Sequence, residues 1–401
     1  MKKLAKKIVA AILGYQIRSL TKKNDIKVIG VVGSIGKTST KLAIANVLKA
    51  GFRVQYQEGN YNDIVSVPLV FFGEEIPSLF NPFAWLAVFW RNQKQLRRPY
   101  PYDVIVVEMG SDEPGLILPF KNYLNLEIGV LTSITPEHMQ SFGNMDAVAK
   151  EELAISQFSS LVIANKDLCD AKYLSSIGEV LTYGAGSGVD FKPDPKIGAG
   201  RSKPEMYSAL AAWAVAKKLG MSEDAIKKGL ENIQPVAGRM QRLAGVNGST
   251  IIDDSYNASP DAVKLALESL YSLDSPQKIA VLGNMNELGD YSKEAHEEIG
   301  DLCDPKQLEL VVTIGPDANT FLAPAASAQG CKVHSFDSPY DAGEFLKPII
   351  KKGAVVLVKG SQNKVFAEES IKSLLADPAD AAKLVRQSKD WMKIKKKAFK
   401  V

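Results

Sequence analysis

Cysteine is scarce in this sequence: Cys169, Cys303 and Cys331 are the whole complement in 401 residues. Three thiols, odd in number and far apart, exclude a disulfide framework and a zinc site, and they fit a reducing compartment such as the cytoplasm. Histidine is equally rare, with three in all, so a catalytic or metal-binding imidazole has few candidates. No apolar run approaches the ~20 residues needed to span a bilayer. Neither charge sign dominates: 49 Lys and Arg face 45 Asp and Glu, a net charge of +4, which is too small to make nucleic acid the partner. What remains is the composition of a soluble globular protein, long enough for two or three domains.

The chain starts with MKKLAKKIVAAILGYQIRSLTKK. Its apolar stretch, Ile8 to Leu13, is short and no small-residue cleavage pattern follows, which argues against a cleaved signal. Leu4, Ile8 and Ile12 recur at helical spacing, while Lys2, Lys3, Lys6, Lys7 and Arg18 can meet water or anionic headgroups. A basic amphipathic helix over residues 1–25 therefore has two readings, packing on its own protein or touching a membrane surface.

Apolar runs bounded by turns recur at Lys27 to Val32, Val104 to Val107, Ile128 to Ile134 and Leu161 to Ile163, with helical patterns at Lys37 to Ala50, Ala147 to Gln157, Pro204 to Leu219 and Glu223 to Asn232. This alternation predicts a parallel sheet in an α/β domain over 26–241. A second α/β domain over 242–401 follows from strands at Thr250 to Asp253, Lys278 to Leu282, Leu308 to Ile314 and Val355 to Val358, with helices between them. The Lys-rich tail, Lys393 to Lys400, reads as a solvated end. Between Ile76 and Tyr102, aromatic residues run into Arg91, Lys94, Arg97 and Arg98; a core helix with a solvated face is the default reading, and a membrane or partner surface the sharper one.

The chemistry begins at Gly33-Ser34-Ile35-Gly36-Lys37-Thr38, followed by Ser39, between a strand and a helix. Backbone N–H groups at such a turn cradle phosphates, Lys37 would neutralise the β and γ phosphates, and Thr38 would ligate Mg²⁺. The loop is shorter than a strict P-loop, which would place glycine at Val31, and a purely structural turn is the competing reading. Glu108 ends a strand, where a carboxylate can reach a metal on the neighbouring loop.

Further segments follow in a recognisable order: Gly59-Asn60-Tyr61-Asn62-Asp63 with Val67-Pro68-Leu69, Val107-Glu108-Met109-Gly110 with Pro114-Gly115, Ile134 to Gly143 with His138, Pro235 to Gln241 with Gly238-Arg239, Asp253-Asp254-Ser255-Tyr256-Asn257-Ala258, Val281 to Gly289, and Val358-Lys359-Gly360-Ser361. Together with the short GxxGKT loop they resemble the Mur ligases, nearest to the branch that adds D-alanyl-D-alanine. The resemblance runs from about Ile29 to Leu375. It implies an α/β fold with a central P-loop-type ATPase domain on a mainly parallel sheet and a C-terminal Rossmann-like α/β domain. It implies an ATP-dependent amide-bond ligase of peptidoglycan precursor synthesis, with ATP and Mg²⁺ as cofactors, a muramyl peptide and D-Ala-D-Ala as substrates, and a monomeric cytoplasmic enzyme. By motif position, Arg239 meets the nucleotide phosphates, Asp254 the ribose, and Asn60, Asn62 and Asn257 the substrates. Glu108 and His138 would hold metal.

Four departures accompany the resemblance. The family's carbamylated lysine falls on Glu152, which would supply a carboxylate directly as a metal ligand; a solvent-facing helix residue is the alternative. The family's adenine-side asparagine is Ser208 and its KGSR arginine is Gln362. Only about 26 residues precede the P-loop strand, where this branch has a uridine-binding domain. The expectation from these departures is either the D-Ala-D-Ala ligase itself, a related ligase with a different acceptor such as a lipid-linked one, or a catalytically silent nucleotide-binding scaffold.

Overall fold

The computed structural model describes residues 2–59, 61–191, 197 and 200–399. The chain forms two compact units, one from residues 1–135, 141–199 and 206–234 and the other from 136–140, 200–205 and 235–401.

The first unit is built on a six-stranded sheet of β1 (Lys27–Val32), β2 (Val54–Gln55), β3 (Val104–Glu108), β4 (Leu126–Leu131), β5 (Ser159–Asn165) and β6 (Val180–Tyr183), in the order β2-β3-β1-β4-β5-β6. Every pairing is parallel. The central strands are covered on both faces, so β1 and β3 are apolar almost throughout rather than alternating. The chain leaves β1 at the centre of the sheet, with β3 on one side and β4 on the other. This is the switch point at which open α/β sheets bind ligands beyond the strand C-termini.

The second unit has strands β7 (Gln241–Ala244), β8 (Thr250–Asp254), β9 (Lys278–Gly283), β10 (Leu310–Ile314), β11 (Val333–Phe336) and β12 (Val355–Lys359), ordered β11-β10-β9-β12-β8-β7. Only β7 runs antiparallel to its neighbour. Alternate residues of its strands feed two separate cores. Ile252, Ala280, Leu282 and Leu357 lie in one, while Ile251, Ile279, Val281 and Val358 lie in the other, so both faces are covered by helices. Its switch point lies between β9 and β12.

The C-terminal tail is solvated on one face only, with Lys393, Lys396 and Lys397 exposed. It forms the helix Lys389–Phe399, and Lys395 is fully buried with its ammonium 2.8 Å from Glu368 and 2.6 Å from Glu369. A lysine-rich composition misleads here because two buried carboxylates recruit one of those lysines into the interior.

Candidate active site

In the first unit the loop after β1 is clamped against the segment after β4. Ser34 N–H donates to Ser133 O at 3.1 Å, Ile35 N–H to Ser133 Oγ at 2.8 Å, and Thr132 Oγ1 to Ile35 O at 2.6 Å. Thr135 N–H in turn donates to Ser34 Oγ at 3.0 Å. Glycine is required at position 33, where φ is +130° and a Cβ would sit 2.2 Å from Thr132 Oγ1 and 2.8 Å from the Ser133 nitrogen. Gly36, with φ of +82°, is the N-cap of the helix Lys37–Leu48, and no side chain caps it. A helix start of this kind, with its positive dipole end, favours an anion.

Lys37 Nζ curls back onto the Gly33 and Ser34 carbonyls, the second at 3.0 Å. Thr38 Oγ1 donates to Glu108 Oε1 at 3.1 Å, joining two hard oxygen donors, one from the helix after β1 and one from the end of β3. The other Glu108 oxygen lies 3.2 Å from the ammonium of Lys41, which is only 2% exposed. Lys41 also donates to Gly59 O at 3.2 Å. Sequence reading passed over Lys41; its signal was its spacing, one helical turn after Thr38 on the same face. Ser208 accepts from Thr40 Oγ1 at 3.3 Å, which brings that departure beside the loop helix.

Glu152 is buried at the end of the helix Met145–Glu152, so it is not the solvent-facing residue of the alternative reading. Burial, and after it the charge of Glu152, pushes the Cys169 thiol up in pKa. The adjacent Glu151 serves the structure, accepting from the N–H groups of Gly115, Leu116 and Ile117 at 2.6–2.7 Å. Asn62 holds the loop after β3, its carbonyl accepting from Gly110 N–H at 3.0 Å. Asn60 lies outside the described residues.

His138 belongs to the second unit. Its Nδ1 is 2.6 Å from Glu287 Oε2 and its Nε2 is 3.7 Å from Glu137 Oε1. Both His138 and Glu287 have positive φ, 52° and 65°, a strain that a fold retains when something over-determines it. They line one pocket with Asn257, Asn286, Ser361 and Gln362, beyond the C-termini of β8, β9 and β12. Asp254 is fixed by the Met240 N–H at 3.1 Å and by Lys359 Nζ at 2.6 Å. Lys359 also donates to Asn257 O at 3.0 Å. The Arg239 guanidinium lies 4.2 Å from the Tyr256 ring centroid. The Ser255 and Tyr256 carbonyls accept from Arg386 at 2.7 and 2.9 Å, and Arg386 is itself tied to Glu368. Arg386 gave no sequence signal, being a lone arginine in an irregular segment.

Among the described residues no group of three or more His, Cys, Asp or Glu is arranged to hold a metal. The Thr38–Glu108 pair beside an uncapped helix start nevertheless fits Mg²⁺, which keeps several waters and takes few protein oxygens alongside substrate phosphates.

Two family profiles match this chain, the "Mur ligase middle domain" over residues 90–208 and the "Mur ligase, glutamate ligase domain" over 238–362. The chain belongs to the Mur ligase family. A relative from Bacillus subtilis (strain 168), UDP-N-acetylmuramoyl-tripeptide--D-alanyl-D-alanine ligase, is 28% identical over 382 residues, covering 88% of this chain and 76% of the relative. The ligase of the same name from Synechocystis sp. (strain PCC 6803) is 29% identical, covering 88% and 75%. Among solved structures, the MurF ligase of Thermotoga maritima in complex with ADP superposes with a TM-score of 0.73 at 24% identity, covering 91% of this chain and 83% of that one.

Beside Asp254 this Mur ligase buries a second carboxyl, Asp253. Burial pushes Asp253 up to about 6, against the opposing hydrogen bonds from Ser255. Its Oδ2 is buried without a hydrogen-bond partner, so the proton has a place to sit. A folded-state pKa above the unfolded value gives stability that is full below about pH 4 and lost as pH rises through 6. Asp253→Asn keeps the Oδ1 acceptor and stays neutral. Relative to wild type it should gain about 2–3 kcal/mol between pH 4 and 7, read by urea denaturation at each pH; a constant difference across that range would refute this.

Proposed function

We propose that this chain joins D-alanyl-D-alanine to the terminal carboxylate of a muramyl tripeptide at the expense of ATP, working as a monomer. The Gly33–Thr38 loop with its Thr38–Glu108 pair carries the reading, in a chain whose relatives are ligases of that name. The γ-phosphoryl of ATP passes to the carboxylate oxygen, releasing ADP and leaving an acyl phosphate. The dipeptide amine attacks the acyl carbon, the C–O bond to phosphate breaks, and an amide and phosphate result.

Phosphoryl transfer asks the protein mainly for positioning and charge neutralisation. Lys37 and the N–H groups after Gly36 supply both to the phosphates. Mg²⁺ held by Thr38 and Glu108 would offset the charge of the triphosphate. Lys41 offsets the charge of Glu108 and keeps it aimed. Arg239 we assign to the nucleotide phosphates and Asp254 to the ribose. With Nδ1 engaged by Glu287, His138 offers Nε2 to a cation, the arrangement usual for a metal-bound imidazole. Glu152 offers a carboxylate where the family has a carbamylated lysine, and Asn60, Asn62 and Asn257 are assigned to the substrates.

The test is mass spectrometry of products from purified protein, ATP, Mg²⁺, UDP-N-acetylmuramoyl-tripeptide and D-Ala-D-Ala, with phosphate release followed in parallel. The pentapeptide product and release that needs both substrates are expected. A second reading, a related ligase with another acceptor, is favoured by Gln362 in the pocket where the family has arginine. It predicts no pentapeptide product but phosphate release with a different acceptor. Binding of ATP with no acceptor-dependent release would instead mark a silent scaffold.

A further inference from the structure

The N-terminal helix Lys2–Lys23 and the helix Pro82–Gln95 lie side by side within the first unit. Val9 and Leu13 pack with Trp85 and Val88. Gln16 donates to Phe89 O and accepts from Asn92, both at 2.9 Å, and Lys23 reaches Leu96 O at 3.4 Å. Early residues meet early and late meet late, so the two helices run in the same direction.

Their outer faces are apolar and uncovered. Phe80, Phe83, Leu86 and Trp90 are 62–80% exposed, and on the neighbouring helix Ile8 and Tyr15 are 53% and 62% exposed. Elsewhere among the described residues exposed large hydrophobic side chains occur singly, as Leu118, Leu302, Ile349 and Ile394. A cluster of this kind on one face marks an interaction surface.

Charge identifies the partner. Residues 1–24 and 76–102 contain eleven Lys and Arg and no Asp or Glu. As the whole chain is +4, the remainder carries −7. Lys6 is paired with Asp63 and Arg91 with Glu74, but Lys22, Lys94, Arg97 and Arg98 stand exposed just beyond the apolar faces. A second copy on this face would bring like charges together. An anionic bilayer offers both what the aromatic side chains and what the cations lack. Among the described residues no helix is long and apolar enough to cross a membrane, so the contact would be peripheral.

We propose that the paired faces of the helices Lys2–Lys23 and Pro82–Gln95 form a docking surface for an anionic phospholipid bilayer, with Phe80, Phe83 and Trp90 entering the headgroup boundary and the flanking Lys and Arg meeting lipid phosphates. This surface is independent of the ligase reading, and product formation without vesicles is its separate control. Removing residues 1–25 is not a usable test, because Leu13, Ile17 and Leu20 are buried and their loss would open the core. The full-length chain should instead be sedimented with vesicles of phosphatidylcholine containing about 30% phosphatidylglycerol and with phosphatidylcholine alone. Binding should need the anionic lipid, weaken with salt, and blue-shift Trp90 emission. The variants Phe83→Ser with Trp90→Ser, and Lys94→Glu with Arg97→Glu and Arg98→Glu, should each lose roughly tenfold or more in affinity while keeping the wild-type melting temperature. Absence of binding to anionic vesicles at low salt, unchanged binding by the serine variant, or a concentration-dependent dimer that this variant abolishes would each overturn the proposal.

Discussion

Replacing Lys37 by methionine should lower the rate of product formation by roughly 10²–10³-fold while leaving the fold intact. The first part follows from what the side chain does. A preorganised cation aimed at charge on a transferring phosphoryl group is worth about 3–4 kcal/mol when removed singly. The second follows from where it sits. Lys37 is half-buried and its ammonium rests on loop carbonyls, so methionine of similar length opens no cavity there; the change in unfolding free energy should stay within about 1 kcal/mol. Turnover by Lys37→Met at the wild-type rate, with wild-type KM for ATP, would mean that the loop Gly33–Thr38 does not hold the triphosphate.

The loop was legible because backbone geometry writes itself into sequence. Glycine is forced at position 33 and favoured at the left-handed position 36, and lysine and threonine follow at the first turn of a helix, so strand, turn and chemistry appear together. The eight central strands were legible for a related reason. Buried on both faces, they read as continuous apolar runs. The four strands that the pattern missed, β2, β6, β7 and β11, are the outer strands of the two sheets. One side of each faces no further strand, and sequences such as Gln241–Ala244 and Val333–Phe336 alternate too weakly to stand out. The supporting charges were harder still. Lys41, Lys359, Arg386 and Lys395 act through carboxylates far from them in the chain, Lys41 through Glu108 and Lys359 through Asp254, Arg386 and Lys395 through the neighbours Glu368 and Glu369. A lysine or arginine in isolation looks like a solvated surface residue. Motif order showed which acidic residues matter, Glu108 and Asp254 among them, but not what neutralises them.

Asp254 and Lys359 make the strongest stability prediction in the second unit. The pair is buried, Lys359 being 3% and Asp254 7% exposed, and the ammonium holds both the carboxylate at 2.6 Å and the Asn257 carbonyl at 3.0 Å. Lys359→Met fills similar volume but leaves a buried carboxylate with only the Met240 N–H for company. Breaking one side of such a pair costs about 3–5 kcal/mol, a large share of the ~5–15 kcal/mol that holds a typical protein folded. The cost belongs to the stranded charge rather than to the lost attraction, so removing the charge should return much of the stability. Asp254→Asn combined with Lys359→Met is expected to be more stable than Lys359→Met alone, with a coupling of about 2 kcal/mol in a double-mutant cycle followed by urea denaturation. The double variant should still fail to use ATP at the wild-type KM, because regained stability does not restore the carboxylate assigned to the ribose. If the two single losses merely add, the ion pair is not the element that fixes Asp254; if the double variant recovers wild-type KM, Asp254 does not bind the nucleotide.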